Sequence, residues 1–360
     1  MSDVVAEQPL VDHHCHGVLL HDADQTTLES QLTEGGPFPG GSPFDSAIGF
    51  AFRRLCPPVL DLPADATIPQ YTERRKELGA DTVNRRFLRA AGLDALCVDT
   101  GYTPAPITSP EELAELAGAK TYEIVRLEVV AEEVGADGGS AADFPDAVRE
   151  RLAARTPHAV GVKSIAAYRT GLDLDGQRPT DDEVSVAAGR FLSNPGRIAD
   201  PVLQRFLIWC ANDLGKPIQF HVGYGDSDVD LDQCNPLLLT PLIRNLTVPV
   251  MLLHNYPYHR EAGYLAQVFP HVYVDAGLAI HGVGHRAPAL LAEALELAPY
   301  GKFLYSSDAF GLPELYYLDA VLFRRALGTY LRDADIPDAE RIAQLICVQN
   351  ARRVYGLQPD

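Results

Sequence analysis

Pro9-Leu10-Val11-Asp12-His13-His14-Cys15-His16 joins a short apolar strand to a run of metal-binding side chains, and its reading decides the fold. A strand alternates its faces with a period of two, so the spacing predicts that His14 and His16 project to one side. His13 and Cys15 are expected to face the other. Two imidazoles on one face form a bidentate clamp for a borderline cation, zinc first and manganese second.

The same grammar recurs outward from this point. The runs 217–221 and 248–254 are apolar strands that each end in a histidine, His221 and His254, and the run 303–306 is followed by Asp308. Further runs at 95–99, 122–130, 160–164 and 272–275 bring the candidate strands to eight, counting 10–14. Helical stretches are read over 71–91, 111–117, 141–154, 201–214, 236–246, 259–268, 287–297, 312–331 and 338–349. Strands alternating with helices specify a parallel sheet, and eight such units predict a closed α/β barrel of the (β/α)8 TIM type. All 360 residues then form one domain. Two segments exceed the minimal repeat. Residues 21–70, with the Gly35-Gly36-Pro37-Phe38-Pro39-Gly40-Gly41 tract, read as a lid or helical cap after strand one, because a structureless loop that long is uncommon in a compact domain. Residues 170–200, with Asp181, Asp182 and Glu183, read as a second insertion after strand four.

Composition narrows the partners. Lys plus Arg number 30 against 49 Asp plus Glu, a formal charge of −19 with no basic stripe, so nucleic acid and anionic membranes are disfavoured and a small-molecule substrate is expected. No apolar run approaches the roughly 20 residues that span a bilayer, and the N-terminus has no secretory pattern, so the expectation is a cytoplasmic protein. Six scattered cysteines without CxxC pairing are read as reduced thiols.

In a barrel, strand ends distant in sequence meet around one axis. Three imidazoles and a carboxylate from among His14, His16, His221, His254 and Asp308 are the ligand set of a catalytic divalent metal with an open position for water. Lys163, in strand four, has two readings: carbamylated and bridging two metals, or cationic and binding a substrate anion; the cationic form is favoured. Arg169, beside Tyr168, offers a planar fork for a carboxylate, with a lid salt bridge as the equal alternative. His158 and His271 precede strands and are read as structural; His21, His259, His281 and His285 are read as solvated loop histidines. Asp226, Asp228, Asp230 and Asp232 lack EF-hand spacing and are read as loop hydrogen-bonding groups.

On these residues the chain resembles the amidohydrolase superfamily, in its amidohydrolase-2 branch. The segments Val160-Gly-Val-Lys-Ser-Ile-Ala-Ala-Tyr-Arg-Thr-Gly-Leu172, His221-Val-Gly-Tyr-Gly-Asp226, His254-Asn-Tyr-Pro257 and Asp275-Ala-Gly-Leu278 look like the amidohydrolase-like domain fused to glutamine synthetase in nodulin-type and fungal sporulation-type proteins. The resemblance implies metal ligation by His14, His16, His221 and Asp308, with catalytic work by Asp308 and His254. It also implies substrate binding by Lys163, Tyr168 and Arg169, and is compatible with a homo-oligomer. The implied activity is hydrolysis of a small amide, a γ-glutamyl amide being suggested by the synthetase link. The alternatives are a non-oxidative decarboxylase using the same metal shell and a barrel that has lost catalysis and serves as a scaffold.

Overall fold

The computed structural model describes residues 5–36 and 39–358, so Pro37 and Phe38 of the glycine-rich tract lie outside the described residues. Seven strands form one all-parallel sheet in sequential order: β1 (Leu10–Cys15), β2 (Leu93–Asp99), β3 (Lys120–Arg126), β4 (Gly161–Ser164), β5 (Ile218–Val222), β6 (Val250–His254) and β7 (Val272–Val274). The expected eighth strand is not a regular one. Phe303 forms a single bridge with Val274, and Leu304 N donates to Val274 O at 3.0 Å. On the other side His13 N donates to Tyr305 O at 3.1 Å and Asp308 N to His14 O at 3.0 Å. The segment thus joins the two edges of a seven-stranded sheet without laddering along either.

The sheet is strongly curled, as its packing shows. Val11 of β1, Ala95 and Cys97 of β2, Ile124 of β3, Met251 and Leu253 of β6 and Leu304 share one apolar cluster with Ala351, Tyr355 and Leu357. Strands so far apart in order meet only on the concave face of a curled sheet. The intervening residues, such as Leu96, Val98, Val162, Phe220 and Leu252, pack outward with the helices. Tyr355 reaches the concave face from the helix Asn350–Tyr355 because β4 opens with a glycine: a Cβ on Gly161 would lie 3.1 Å from Tyr355 Cε1.

Of the boundaries that differ from the sequence expectation, two have a clear local cause. Strand three ends at Arg126, not at residue 130, and the helix Leu127–Asp137 follows at once. Leu127, Val130, Ala131 and Val134 are spaced for one helix face, and that period prevails over the β-branched Val129-Val130 pair. The helix expected over 71–91 is two, Ile68–Leu78 and Ala80–Ala90, broken at Gly79, whose φ of 76° and ψ of 156° suit only glycine. Between residues 21 and 70 the chain forms the helices Gln25–Gln31 and Ala47–Leu55 and the start of Ile68–Leu78. Between 170 and 200 it forms the helix Asp181–Ser193. Asp181, Asp182 and Glu183 are its acidic first turn, with Thr180 and Glu183 as a capping box. Among the described residues no helix is long and apolar enough to cross a membrane, and the six cysteines are buried and unpaired.

Candidate metal centre

β1 does not alternate cleanly through its histidines. Asp12 pairs with Leu96 but Cys15 with Val98, a register shift that leaves one extra residue on β1. His13 faces inward with Val11, contrary to the expectation that it opposes His14, and the shift brings His14 and His16 to that side as well, where both reach the pocket. Cys15 stays among the outward-packed residues.

A directed chain of hydrogen bonds fixes His14. His13 Nε2 lies 2.8 Å from the Asp275 carboxylate and so carries the proton; its Nδ1 then accepts from the Tyr355 hydroxyl at 3.0 Å. Gln219 Nε2 donates to Tyr355 Oη at 2.8 Å and to His13 O at 2.7 Å, so Gln219 Oε1 must accept, and it accepts from His14 Nδ1 at 2.8 Å. His14 is therefore the Nδ1–H tautomer with its Nε2 lone pair directed at Asp308 Oδ1, 3.0 Å away. His16 Nδ1 likewise donates to Asp99 O at 3.2 Å, leaving its Nε2 facing Asp308 Oδ1 at 3.6 Å. His254 is wholly buried with neither ring nitrogen hydrogen-bonded among the described residues, and its Nε2 lies 3.5 Å from Asp308 Oδ2.

Protons cannot satisfy this arrangement. Burial, then repulsion from Lys163, pulls His14 down to about 4, and burial holds His254 well below the usual histidine range, so both rings are neutral at pH 7. Burial works against the Asp308 charge too, and only positive neighbours or N–H donors would hold its carboxyl well below the usual range. With the facing imidazoles neutral and their protons turned away, the carboxylate meets lone pairs instead, an arrangement that a divalent cation resolves. Ligands about 2.1 Å from a shared cation stand roughly 3.0–3.4 Å apart in octahedral or tetrahedral geometry. The observed 3.0 Å falls in that range and 3.5 and 3.6 Å lie just beyond it, and the residues present fit a divalent cation. Among the described residues the tight sets of ligand atoms are His14, His254 and Asp308, and His14, His16 and Asp99. His221 is in neither, although its ring centroid is 4.7 Å from that of His254; its Nε2 donates to Tyr224 O at 3.1 Å, leaving Nδ1 free.

These groups floor a pocket of about 630 Å³ that His14, His16, Lys163, Tyr168, Arg169, His221 and Asp308 all line. Lys163 Nζ is 3.4 Å from His14 Nε2, and burial lowers its pKa to about 8. Tyr168 packs against His221 with centroids 4.5 Å apart and the rings tilted by 58°. Arg169 takes up the salt-bridge alternative, with its guanidinium 3.3 Å from Glu132, but its Nε is buried without a partner among the described residues.

Sequence reasoning missed several groups at the pocket. Arg126, at the end of β3, is held 2.5 Å from Asp99 and lines the wall. Gln219 was within reach, since alternation on β5 places it on the same face as His221. His281 and His259 are not solvated: His281 bonds Asp319 at 3.0 Å and His259 bonds Glu293 at 2.9 Å, both histidines buried. Glu34, from the glycine-rich tract, also lines the pocket. Part of it is open to solvent, yet crowding around its carboxyl, then Asp308, pushes it up to about 7.

Comparison with known proteins supplies the family. The family model described as amidohydrolase matches residues 120–357, about two thirds of the chain. The chain belongs to the amidohydrolase family. A solved structure from Lactobacillus casei ATCC 334, provisionally described as a metal-dependent hydrolase, superposes with a TM-score of 0.88 at 32% identity, covering 99% of both chains. Glucuronate isomerase of Caulobacter crescentus, at 15% identity and a TM-score of 0.66 over 99% of this chain and 93% of its own, shares the fold. Protein fluG of Emericella nidulans is 37% identical over 231 residues, 56% of this chain and 26% of that protein. This amidohydrolase matches only about a quarter of that relative's length.

Proposed function

We propose that this amidohydrolase-family chain is a metal-dependent hydrolase of a C–N bond in a small carboxylate-bearing amide, with γ-glutamyl amides the first class to try. The observation that carries it is the Asp308 carboxylate facing the ring nitrogens of His14, His16 and His254 at 3.0–3.6 Å on the pocket floor. A divalent ion held here, zinc in this reading, would supply Lewis acidity and a water acidified to a pKa of about 7. His14 and His16 would hold it through Nε2, and His221 would join them through Nδ1, the nitrogen its bond to Tyr224 O leaves free. Asp308 takes the proton of the attacking water on its carboxylate and returns it to the leaving nitrogen. His254 polarises the scissile carbonyl. Lys163 and the unpartnered Arg169 Nε receive the substrate carboxylate, with Tyr168 shaping the wall beside them.

The test pairs metal analysis of the purified protein with a screen of γ-glutamyl amides that reads released ammonia or amine. Stoichiometric divalent metal and amine release are expected. Carbon dioxide release without amine from a carboxylic acid panel sinks the amide reading in favour of decarboxylation.

A further inference from the structure

The pocket carries a second polar arrangement, on the side of the loop that follows β7, which the metal chemistry does not use. His281 is 4% exposed and Asp319 wholly buried. The His281 Nδ1 lies 3.0 Å from Asp319 Oδ2, which orients the ring and, in its neutral form, makes Nε2 the acceptor. His281 lines the pocket, and its Nε2 has no partner among the described residues. Asp319 is anchored on the long helix Pro313–Asp333, so the ring is held by the scaffold rather than by a loop.

The charges around it are one-sided. Each pocket-lining arginine is already committed to an acid: Arg126 to Asp99, Arg169 to Glu132 and Arg197 to Asp228. Lys163 lies against His14 beside Asp308, and Asp308 is accounted for by the cation its surroundings fit. Asp226 also lines the pocket without an ion pair but accepts from Asp228 N at 2.8 Å, which leaves Glu34. Glu34 has no ion pair or hydrogen bond among the described residues, and it lies within electrostatic range of His281, Asp308 and Asp226. An unpaired carboxylate, a fixed imidazole acceptor and a buried acid behind it form an environment that favours a cation carrying N–H donors.

We propose that His281, oriented by Asp319, and Glu34 form an ammonium-recognition subsite, so that the substrate carries an amine as well as a carboxylate. This rests on the reading of the pocket as a substrate site and narrows the substrate to amino-acid-like zwitterions. The ammonium gives one N–H to His281 Nε2 and pairs its charge with Glu34, while the carboxylate lies toward Lys163 and the Arg169 Nε.

The experiment uses three probes of one carbon skeleton: 5-aminopentanoate, pentanoate and glutarate. Calorimetric titration of the metal-loaded protein should show 5-aminopentanoate binding at least about tenfold more tightly than pentanoate, with glutarate weakest. In Glu34→Gln, a substitution on a solvent-facing segment, the preference should fall to about unity, as it should in His281→Gln. Equal or weaker binding of 5-aminopentanoate than of pentanoate, glutarate binding tightest, no binding by any probe, or a preference unchanged in Glu34→Gln each overturns the subsite. The titration needs no turnover, so it separates from the hydrolase reading. Amide hydrolysis without the preference defeats the subsite alone, and the preference without hydrolysis defeats only the reaction assignment.

Discussion

Replacing Gln219 by leucine tests whether the buried chain behind His14 sets its tautomer for a metal. The substitution nearly conserves volume but removes the acceptor for His14 Nδ1–H at 2.8 Å and the donor to His13 O at 2.7 Å and to Tyr355 Oη at 2.8 Å, Tyr355 keeping its bond to His13 Nδ1. Two buried polar groups then lose their partners at about 1–3 kcal/mol each, so the fold should lose roughly 2–6 kcal/mol in denaturant titration. The decisive effect is on the metal. Without Gln219, nothing holds the His14 Nε2 lone pair toward Asp308, and loss of such an orienting partner weakens metal affinity about 10–100-fold. That range corresponds to about 1.4–2.7 kcal/mol. Chelator competition with zinc and with manganese, on protein shown to be folded by circular dichroism, reads the change. Gln204→Leu is the control: Gln204 is also wholly buried and bonds Ile198 O at 3.2 Å, but it sits on the helix Pro201–Asp213, outside the pocket lining. It should lose stability and keep its affinity. Metal affinity in Gln219→Leu within about twofold of wild type would refute the orienting chain, since the tautomer would then not depend on it.

Asp308→Asn should lower turnover by about 10²–10⁴-fold if the carboxylate carries the proton. It should leave the melting curve nearly unchanged, because asparagine tolerates the φ of 51° at that position. His14→Ala should likewise lose metal and turnover in a protein with unaltered circular dichroism, and retained turnover in either variant removes the site. Glu128 predicts a pH effect on stability. Burial raises its pKa from 4.5 to about 7, although Ser164 and Ile165 donate to its carboxyl. A raised acid keeps its proton in the fold while the unfolded chain loses it. Stability is therefore intact below pH 4.5 and falls by about 3 kcal/mol as pH rises to 7. Urea titrations should show that decline in wild type and not in Glu128→Gln; parallel profiles for the two proteins assign the decline elsewhere.

Much of the fold was legible because period-two alternation survives in the short central strands. On β5, Ile218, Phe220 and Val222 pack outward while Gln219 and His221 face the concave side, as alternation requires. Legibility failed where two periods coexist in one stretch. Tyr122 to Val130 is β-branched enough to read as a strand, but from Leu127 the apolar spacing is helical and burial against neighbouring elements decides. It failed again at residues 303–306, where apolar sequence promised a strand and the chain instead makes isolated bonds to β7 and β1. At the site, His14, His16, His254 and Asp308 announced themselves as strand ends. Gln219, Tyr355, Asp275 and the His281–Asp319 pair did not, since each matters through a partner more than 30 residues away.

Two of the site residues sit in backbone that sequence gives no reason to expect. Alternation on β6 puts Leu252 outward and Leu253 inward, which would send His254 out among the helices. Instead His254 and Asn255 adopt φ values of 67° and 63°, and Asp308 adopts 51°. Non-glycine residues in this region cost of order 1–3 kcal/mol each and persist only where surroundings over-determine them. Here Asp275 accepts from His254 N at 2.6 Å, and the Asn255 side chain donates to Leu252 O at 2.6 Å and to Asp275 O at 3.1 Å. The same Asp275 holds His13, the first link of the chain that sets the His14 tautomer. One carboxylate therefore steers two imidazoles, one through the backbone and one through four relayed hydrogen bonds, toward Asp308. Packing alone would favour His254 turned outward or replaced by an apolar residue, because its ring nitrogens are buried and unsatisfied. The strain and the unsatisfied His254 Nε2 have a common explanation in a cation at Asp308, the carboxylate this nitrogen faces at 3.5 Å.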